Sequence, residues 1–572
     1  MNRIQKNLEK IFQKERIVFW YDEKAEMREV VQNLELADVS VVEVRNNEFS
    51  LKYRIVKQDP DSKFLLYFPC RRSEDSENWL LDLLLANVEF SADESSVLMQ
   101  EVGLPAGLRP VVEEHRPFFK STARTDALKK LIEKDENPRS LRIKMLSIAC
   151  GSGPKMEEIT LRLVGEHARG KGESFSKIKS FGLEPFFWSE MKNGFGYRSE
   201  FPSMIDFIYS LFATGYRSVM GGDMPLSGEG LIFLNRWKDS TSSIESFKEM
   251  SGRVAESLNI VEELDQEPLE KLIDLDIYEV VDRRIIVNLI RDILSDSISH
   301  KKVEEIIDAR RKSLWYSKNE DYFLCVGVSS EFFERMKDLD LRSGHSQEAF
   351  RKYEGSLFRI DQLYRQFVRS FHATGPDSLL MELYERVHGH YSNNFLLTLN
   401  DRWQKHVNDM DAWNIEGIPG QETFYSRYVK PYPEQGKKIF VVISDALRYE
   451  AAEELKGKIL RLDRYQAEIE SMLGVLPSYT QLGMAALLPH GRISFAKDLS
   501  SVTIDGRSTQ RLSARNNILK DIPSVKAIAM SADEFLGLDA HTEGRQVAKE
   551  HDVIYIFHNG IDEAGDSRDS EG

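Results

Sequence analysis

Two uninterrupted apolar runs near the C-terminus constrain the fold most. They are Ile439–Ile443 and Val553–Phe557, and both are dominated by β-branched and aromatic residues. A run without polar alternation is typical of a strand that is buried in a parallel sheet. The first run ends in Ser444 and Asp445, and the second ends in His558. We therefore expect an α/β sheet whose carboxyl-terminal strand ends carry the chemistry.

The first hundred residues show a similar alternation of strand and helix signals. Helical patterns separate three short apolar runs, which are Ile17–Tyr21, Val39–Val44 and Phe64–Phe68. Strands that alternate with helices predict a parallel sheet, so residues 1–110 are expected to form a small N-terminal α/β domain. From 111 to 413 apolar residues recur at three- and four-residue spacing, which predicts a long helical region with room for two subdomains.

A change of composition marks the start of the last domain. Residues 414–437 interrupt the helical pattern with Gly417, Pro419, Gly420, Pro431, Pro433 and Gly436. Such residues are typical of a linker, so residues 438–572 are expected to form a separate α/β domain. At 572 residues the chain exceeds what one hydrophobic core organises, and we predict a multidomain protein with α/β domains at both ends and an all-α middle.

Charge and composition exclude several functions. The chain has 77 basic and 93 acidic residues, a net charge of −16, which argues against a protein that coats nucleic acid with a broad basic face. No window approaches 18 uninterrupted apolar residues, so no membrane span is expected. Cys70, Cys150 and Cys325 have neither disulfide nor metal-ligand spacing, which predicts a reducing, cytoplasmic location.

Three elements of the last domain could together perform phosphoryl transfer. Asp445 ends a buried strand, where a carboxylate is costly unless it is paired or bound to a metal. Thr480 begins a helix of small residues whose free N–H groups can hold a phosphate. His558, Asp562 and Asp566 follow the second strand. Oxygen ligands at neighbouring strand ends can hold two cations that clamp the attacking and leaving oxygens, and metal coordination activates a hydroxyl nucleophile.

These motifs resemble those of the PglZ family, the alkaline phosphatase superfamily component of BREX phage-defence systems. The resemblance covers most of the chain and is densest in QETFYSRYVKPYPEQGKKIFVVISDALRYEAAEEL, LPSYTQLGMAALLPH and DVIYIFHNGIDEAGDS. It implies a metal-dependent phosphohydrolase or phosphodiesterase in which Asp445 binds metal and Thr480 is the nucleophile that touches both metals. It also implies zinc as the cofactor and other BREX components, such as the DNA methyltransferase, as partners.

The third motif departs from the family pattern. The superfamily usually has Asp-x-x-x-His on one metal, whereas this chain has Asp562-x-x-x-Asp566. The additional carboxylate favours harder cations such as Mn²⁺ or Mg²⁺, and His558 could be either a ligand or a structural residue at the strand end. The Asp-His pair that completes the superfamily site does not occur in the sequence. We therefore expect a C-terminally truncated chain with an incomplete alkaline-phosphatase-like core and weak or no activity.

Two other functions are compatible with the sequence. A non-catalytic scaffold of the defence complex would agree with the long helical region and the incomplete metal site. A nucleic-acid-binding module would use the basic residues Arg507, Arg511, Arg515 and Lys520, although such a charge run is more often a solvated helix face. For an enzyme, a nucleic acid and a nucleotide are both candidate substrates.

Overall fold

Two units make up the chain in the computed structural model, which describes residues 2–90, 94–375, 378–496 and 501–566. The first unit is Met1–Val281 and the second is Asp282–Gly572. Both contain parallel strands as well as helices, so the mixed α/β class predicted from the sequence is confirmed. No helix in the described ranges is long and apolar enough to cross a membrane.

The first unit begins with a four-stranded parallel sheet. Its strands are β1 (Ile17–Tyr21), β2 (Val39–Glu43), β3 (Lys63–Phe68) and β4 (Val88–Phe90). Their order across the sheet is β2-β3-β1-β4. Successive residues of β1 point to opposite faces, so Phe19 packs into one hydrophobic cluster and Trp20 into another. Both faces of this sheet are therefore buried, which explains why its strands are continuous apolar runs.

Helices form the rest of the first unit. In chain order they are α1 (Asn2–Ile11), α2 (Arg28–Gln32), α3 (Glu48–Tyr53), α4 (Leu81–Leu85), α5 (Glu94–Val102), α6 (Arg109–Glu114), α7 (Arg116–Phe119), α8 (Thr122–Leu131), α9 (Pro138–Cys150), α10 (Met156–Ala168), α11 (Glu173–Ser180), α12 (Glu184–Phe195), α13 (Met204–Met220), α14 (Gly228–Asp239), α15 (Ile244–Ser257), α16 (Ile260–Leu264) and α17 (Leu269–Leu272). Local sequence sets several of their ends. The Asn137 side chain caps the first turn of α9, and Gly151 ends that helix at a φ of 66°.

The second unit combines helices with two small sheets. Its helices are α18 (Val280–Leu294, which begins at the end of the first unit), α19 (His300–Arg310), α20 (Glu320–Lys337), α21 (Ser346–Lys352), α22 (Phe358–Ala373), α23 (Met381–Gly389), α24 (Leu397–Asn408), α25 (Pro431–Glu434), α26 (Tyr449–Leu460), α27 (Thr480–Ala486), α28 (Leu512–Lys520), α29 (Ala532–Leu536), α30 (Glu543–Glu550) and α31 (Gly560–Asp566). Its strands are β5 (Ile439–Ser444), β6 (Ile493–Phe495), β7 (Val502–Ile504), β8 (Arg507–Ser508), β9 (Ala527–Ser531) and β10 (Val553–His558).

The parallel sheet of the second unit has the strand order β5-β10-β9. One face packs in a cluster that includes Val441, Ile443 and Tyr555 together with Leu482 and Ala485 of α27. The other face packs Ile554 and Ile556 against partly buried apolar residues of α29 and α30. Strands β6, β7 and β8 form a separate antiparallel sheet that the sequence patterns did not indicate.

Residues 414–437, predicted as a linker, contain short helical turns at Gln421–Thr423, Tyr425–Val429 and Pro431–Glu434. Val429 is fully buried in the same cluster as β5. This segment therefore contributes to the core on which the last domain is built.

Candidate functional site

The carboxyl ends of β5 and β10 meet at one edge of the sheet. The strands pair in parallel, and the register places Ser444 opposite His558. Just beyond, the backbone N–H of Asp445 donates to the carbonyl oxygen of His558 at 3.0 Å. The Ser444 hydroxyl and Nδ1 of His558 are 2.9 Å apart and hydrogen-bonded. Two of the residues singled out in the sequence, Asp445 and His558, are thus brought together by strand pairing.

The Asp445 side chain has one satisfied and one unsatisfied oxygen. Oδ1 accepts a hydrogen bond from the N–H of Ala446 at 3.0 Å. Oδ2 is buried and has no hydrogen-bond partner among the described residues. A buried carboxylate oxygen without a partner is costly, and it is the type of donor that binds Mg²⁺ or Mn²⁺. In this respect Asp445 has the chemistry of a ligand for a divalent cation of the harder kind.

The other predicted ligands lie directly after β10. Asp562 is partly exposed in the first turn of α31, and Asp566 ends that helix. Their four-residue spacing places the two positions on one face of α31, although the side chain of Asp566 lies outside the described part of the structure. The ring of His558 is hydrogen-bonded to the Ser444 hydroxyl through Nδ1, and this contact ties the ends of β5 and β10 together. Its Nε2 lies beside Gly560.

Over the described ranges, no group of three or more His, Cys, Asp or Glu lies close enough to hold a metal ion. The donor set is therefore partial, with the buried Oδ2 of Asp445 as its clearest member. One oxygen can contribute to a cation site but does not complete one.

Thr480 is anchored to the same core by the helix that it begins. Leu482 and Ala485 of α27 pack with Val441 of β5, and the Tyr555 hydroxyl donates to the carbonyl oxygen of Leu487 at 3.0 Å. Thr480 itself is exposed, and its hydroxyl makes no hydrogen bond to any residue that the structure describes. The hydroxyl is therefore accessible to a substrate, but no hydrogen bond joins it to Asp445.

Arg515 is a functional candidate within a run of basic residues whose pattern is typical of a solvated helix face. Its guanidinium lies 4.9 Å from the centroid of the Phe557 ring, and its Nε donates to the carbonyl oxygen of Thr509 at 2.9 Å. Burial lowers the pKa of Arg515, and the nearby negative charge of Asp445 opposes this shift. The other three basic residues of the run, Arg507, Arg511 and Lys520, are exposed.

The position of Arg515 on the inward face of α28 could have been predicted from the sequence. Arg515 lies three and four residues before Ile518 and Leu519, which are buried, so it shares the inward face of α28 with them. Burying a positive charge is costly, so a basic residue on the apolar face of a helix is a stronger candidate for a functional residue than the basic residues on the exposed face.

Comparisons with known proteins identify related sequences. The model of the BREX system PglZ alkaline phosphatase-like domain matches residues 424–572. The chain is 31% identical to the alkaline phosphatase-like protein BrxZ of Escherichia coli O9:H4 (strain HS), over 98% of this chain and 68% of that protein. It is 27% identical to the alkaline phosphatase-like protein PglZ of Bacillus cereus (strain H3081.97), over 98% of this chain and 67% of that protein. No solved structure matches. The chain therefore belongs to the PglZ family of alkaline phosphatase-like proteins of BREX systems.

Proposed function

We propose that this chain is part of a metal-dependent phosphohydrolase that acts on a phosphodiester or a nucleotide. The observation that carries the proposal is the buried, unpartnered Oδ2 of Asp445 at the carboxyl edge of a parallel sheet. Alkaline phosphatase-like proteins generally use divalent metals, which supports this chemistry. Strand ends at such an edge are also where α/β folds bind their ligands.

Asp445 would hold the cation, with Asp562 and Asp566 as further ligands from α31. Carboxylate oxygens favour Mn²⁺ or Mg²⁺, and zinc is the metal that the family resemblance suggests. A bound divalent cation lowers the pKa of a nearby hydroxyl and offsets negative charge on phosphoryl oxygens.

Thr480 would be the nucleophile. Its hydroxyl is exposed and makes no hydrogen bond to a described residue, so it can approach the phosphorus atom of a bound substrate. α27 is held on the sheet by Leu482 and Ala485, which fixes the position of its first residue. A hydroxyl carried by a packed helix is better positioned for attack than one on an unsupported loop.

Arg515 would stabilise the charge of the phosphoryl group. Its Nε is used by the Thr509 carbonyl, whereas its two Nη groups have no hydrogen-bond partner among the described residues. The contact with the Phe557 ring restrains the guanidinium plane near Asp445. A restrained guanidinium matches the geometry of phosphate oxygens and needs little reorganisation as charge develops.

Mn²⁺ titration by calorimetry tests the role of Asp445. We expect the 572-residue chain to bind Mn²⁺ and Asp445→Asn to weaken binding by about tenfold or more, because the substitution removes an anionic ligand. Asp463→Asn is the matched control, since Asp463 is exposed and its carboxylate makes no polar contact with a described residue. Equal binding by both variants would remove Asp445 from the site.

A non-catalytic scaffold is the second candidate function. The partial ligand set found within the described ranges favours it. The same titration separates the two functions, because a scaffold without a cation site would show no Mn²⁺ binding that depends on Asp445.

A further inference from the structure

A cavity adjoins the edge of the sheet that carries Asp445. Its volume is about 520 Å³, and it is lined by α22, by Tyr391, by residues 446–448, by the first turn of α26 and by α31. Ala446 directly follows Asp445, and Ile561 directly precedes Asp562. A group bound in this cavity would therefore lie beside a substrate that is held at Asp445.

The cavity presents unused guanidinium groups. Arg369 and Arg448 line it and are exposed, and the guanidinium of neither makes a hydrogen bond or ion pair with a described residue. Arg365 also lines it, but its guanidinium is ion-paired with Glu454 at 2.6 Å and with Glu450 at 3.7 Å. The positively charged N–H groups of Arg369 and Arg448 are therefore available to bind a ligand.

The two carboxylates that line the cavity are engaged or shielded. Asp361 accepts hydrogen bonds from the hydroxyls of Tyr353 at 2.6 Å and Tyr391 at 2.8 Å. Glu450 is only 1% exposed, and desolvation raises the pKa of its carboxyl. The accessible charge of the cavity is therefore positive, although the chain as a whole has a net charge of −16. A local basic cavity in an acidic protein favours an anionic ligand.

We infer that this cavity binds a second, non-reacting phosphate group of the substrate, with Arg369 and Arg448 as its main contacts. A nucleoside polyphosphate and an oligonucleotide share this chemistry, because both carry a phosphate next to the one that reacts. Guanidinium groups bind phosphate oxygens in pairs, which gives orientation as well as attraction. The inference rests on the proposed phosphohydrolase function and adds to it a preference for substrates with two adjacent phosphates.

Calorimetric titration of the 572-residue chain with pyrophosphate, ADP or a short single-stranded oligonucleotide tests this assignment. The titrations are made in EDTA, so that their result does not depend on whether a cation binds at Asp445. The double variant Arg369→Gln/Arg448→Gln is compared with Arg386→Gln/Arg461→Gln, whose two arginines are exposed and lie outside the cavity lining. Both variants lose the same charge, and circular dichroism checks that each is folded.

We expect the cavity variant to weaken binding by about tenfold or more, and the control variant to change it little. Tighter binding of ADP and pyrophosphate would identify a nucleotide as the source of the phosphate, and tighter binding of the oligonucleotide would identify a nucleic acid. Equal losses in both double variants would show diffuse electrostatic attraction and overturn the inference. Undetectable binding by the unaltered chain would overturn it too, while leaving the Mn²⁺ titration as a separate test of the proposed function.

Discussion

Glu450, in the first turn of α26, has a carboxylate that the fold keeps almost entirely from water. The residue is 1% exposed, and its Oε1 has no hydrogen bond to a described residue. Arg365 approaches it only to 3.7 Å. Desolvation therefore raises the pKa of Glu450 above its ordinary value of 4.5, and the charge of Asp361 raises it further. The ionised form of Glu450 is thus disfavoured in the folded chain.

Glu450→Gln should stabilise the second unit in a pH-dependent way. Below the unfolded-state pKa both states bind the proton, and the substitution changes the free energy of unfolding little. As the pH rises above 4.5 the unfolded state ionises while the folded state resists, so the unaltered chain loses stability relative to the variant. Urea unfolding of both proteins at about pH 4 and about pH 7 measures the difference. A gain that shrinks as the pH rises would contradict this assignment.

Burial also determines which thiols can react. Cys70 is exposed, whereas Cys150 and Cys325 are buried and free. Burial raises the pKa of Cys150 to about 12 and that of Cys325 to about 12, which suppresses the reactive thiolate. With a disulfide reagent at about pH 8 we expect one rapid reaction in the native chain and all three after unfolding. Cys70→Ser should abolish the rapid phase, and a rapid phase that survived it would show that a buried thiol is accessible.

At the scale of elements, two neighbouring valines of β5 differ in how far they are buried. Val441 is 6% exposed and packs in the core, whereas Val442 is 62% exposed on the opposite face. We expect Val441→Ala to lower the free energy of unfolding of the second unit by about 1–3 kcal/mol, because it leaves a cavity. Val442→Ala should change it by less than about 0.5 kcal/mol. Denaturant unfolding compares the two, and equal losses would mean that the outer face of β5 is covered in solution.

How far the sequence predicts such elements depends on the length of their patterns. The apolar runs at β5 and β10 locate both strands to within one residue, because an uninterrupted buried run is a strong signal. Strands β6, β7 and β8 have two or three residues each, too few for any periodicity. The helical turns between residues 421 and 434 depend on the burial of Val429 in a core that includes residues as far along the chain as Tyr555. The Gly and Pro content of the segment does not indicate this burial.

The site was predictable to the same degree. Parallel strands end at the same edge, so the proximity of Asp445 and His558 follows from two strand predictions. The nearness of Arg515 to Asp445 does not follow, because it depends on which face of α28 packs against the sheet. The cavity lined by Arg369 and Arg448 could not be predicted from local sequence patterns either, because α22 is far from β5 in sequence and only tertiary folding brings them together.

At the scale of the whole molecule, helical periodicity predicts helices but does not show where one structural unit ends and the next begins. The region 111–413 is predicted as a long helical region with room for two subdomains, and the boundary between the two units falls inside it, after Val281. Each unit has its own hydrophobic clusters. The PglZ domain match lies entirely in the second unit, which also contains Asp445, Thr480 and Arg515. The proposed chemistry therefore belongs to one unit of the chain.

Covalent phosphorylation of Thr480 is the most direct test of the proposed metal-dependent phosphoryl transfer. The chain is incubated with Mn²⁺ and an activated aryl phosphate and quenched in acid, and its peptides are then analysed by mass spectrometry. We expect phosphothreonine at Thr480 that requires Mn²⁺, is lost in Thr480→Ala and Asp445→Asn, and returns as phosphoserine in Thr480→Ser. Stoichiometric labelling is detectable even when turnover is slow. Labelling that is independent of Mn²⁺, or that falls on another residue while Thr480 stays unmodified, would contradict the account.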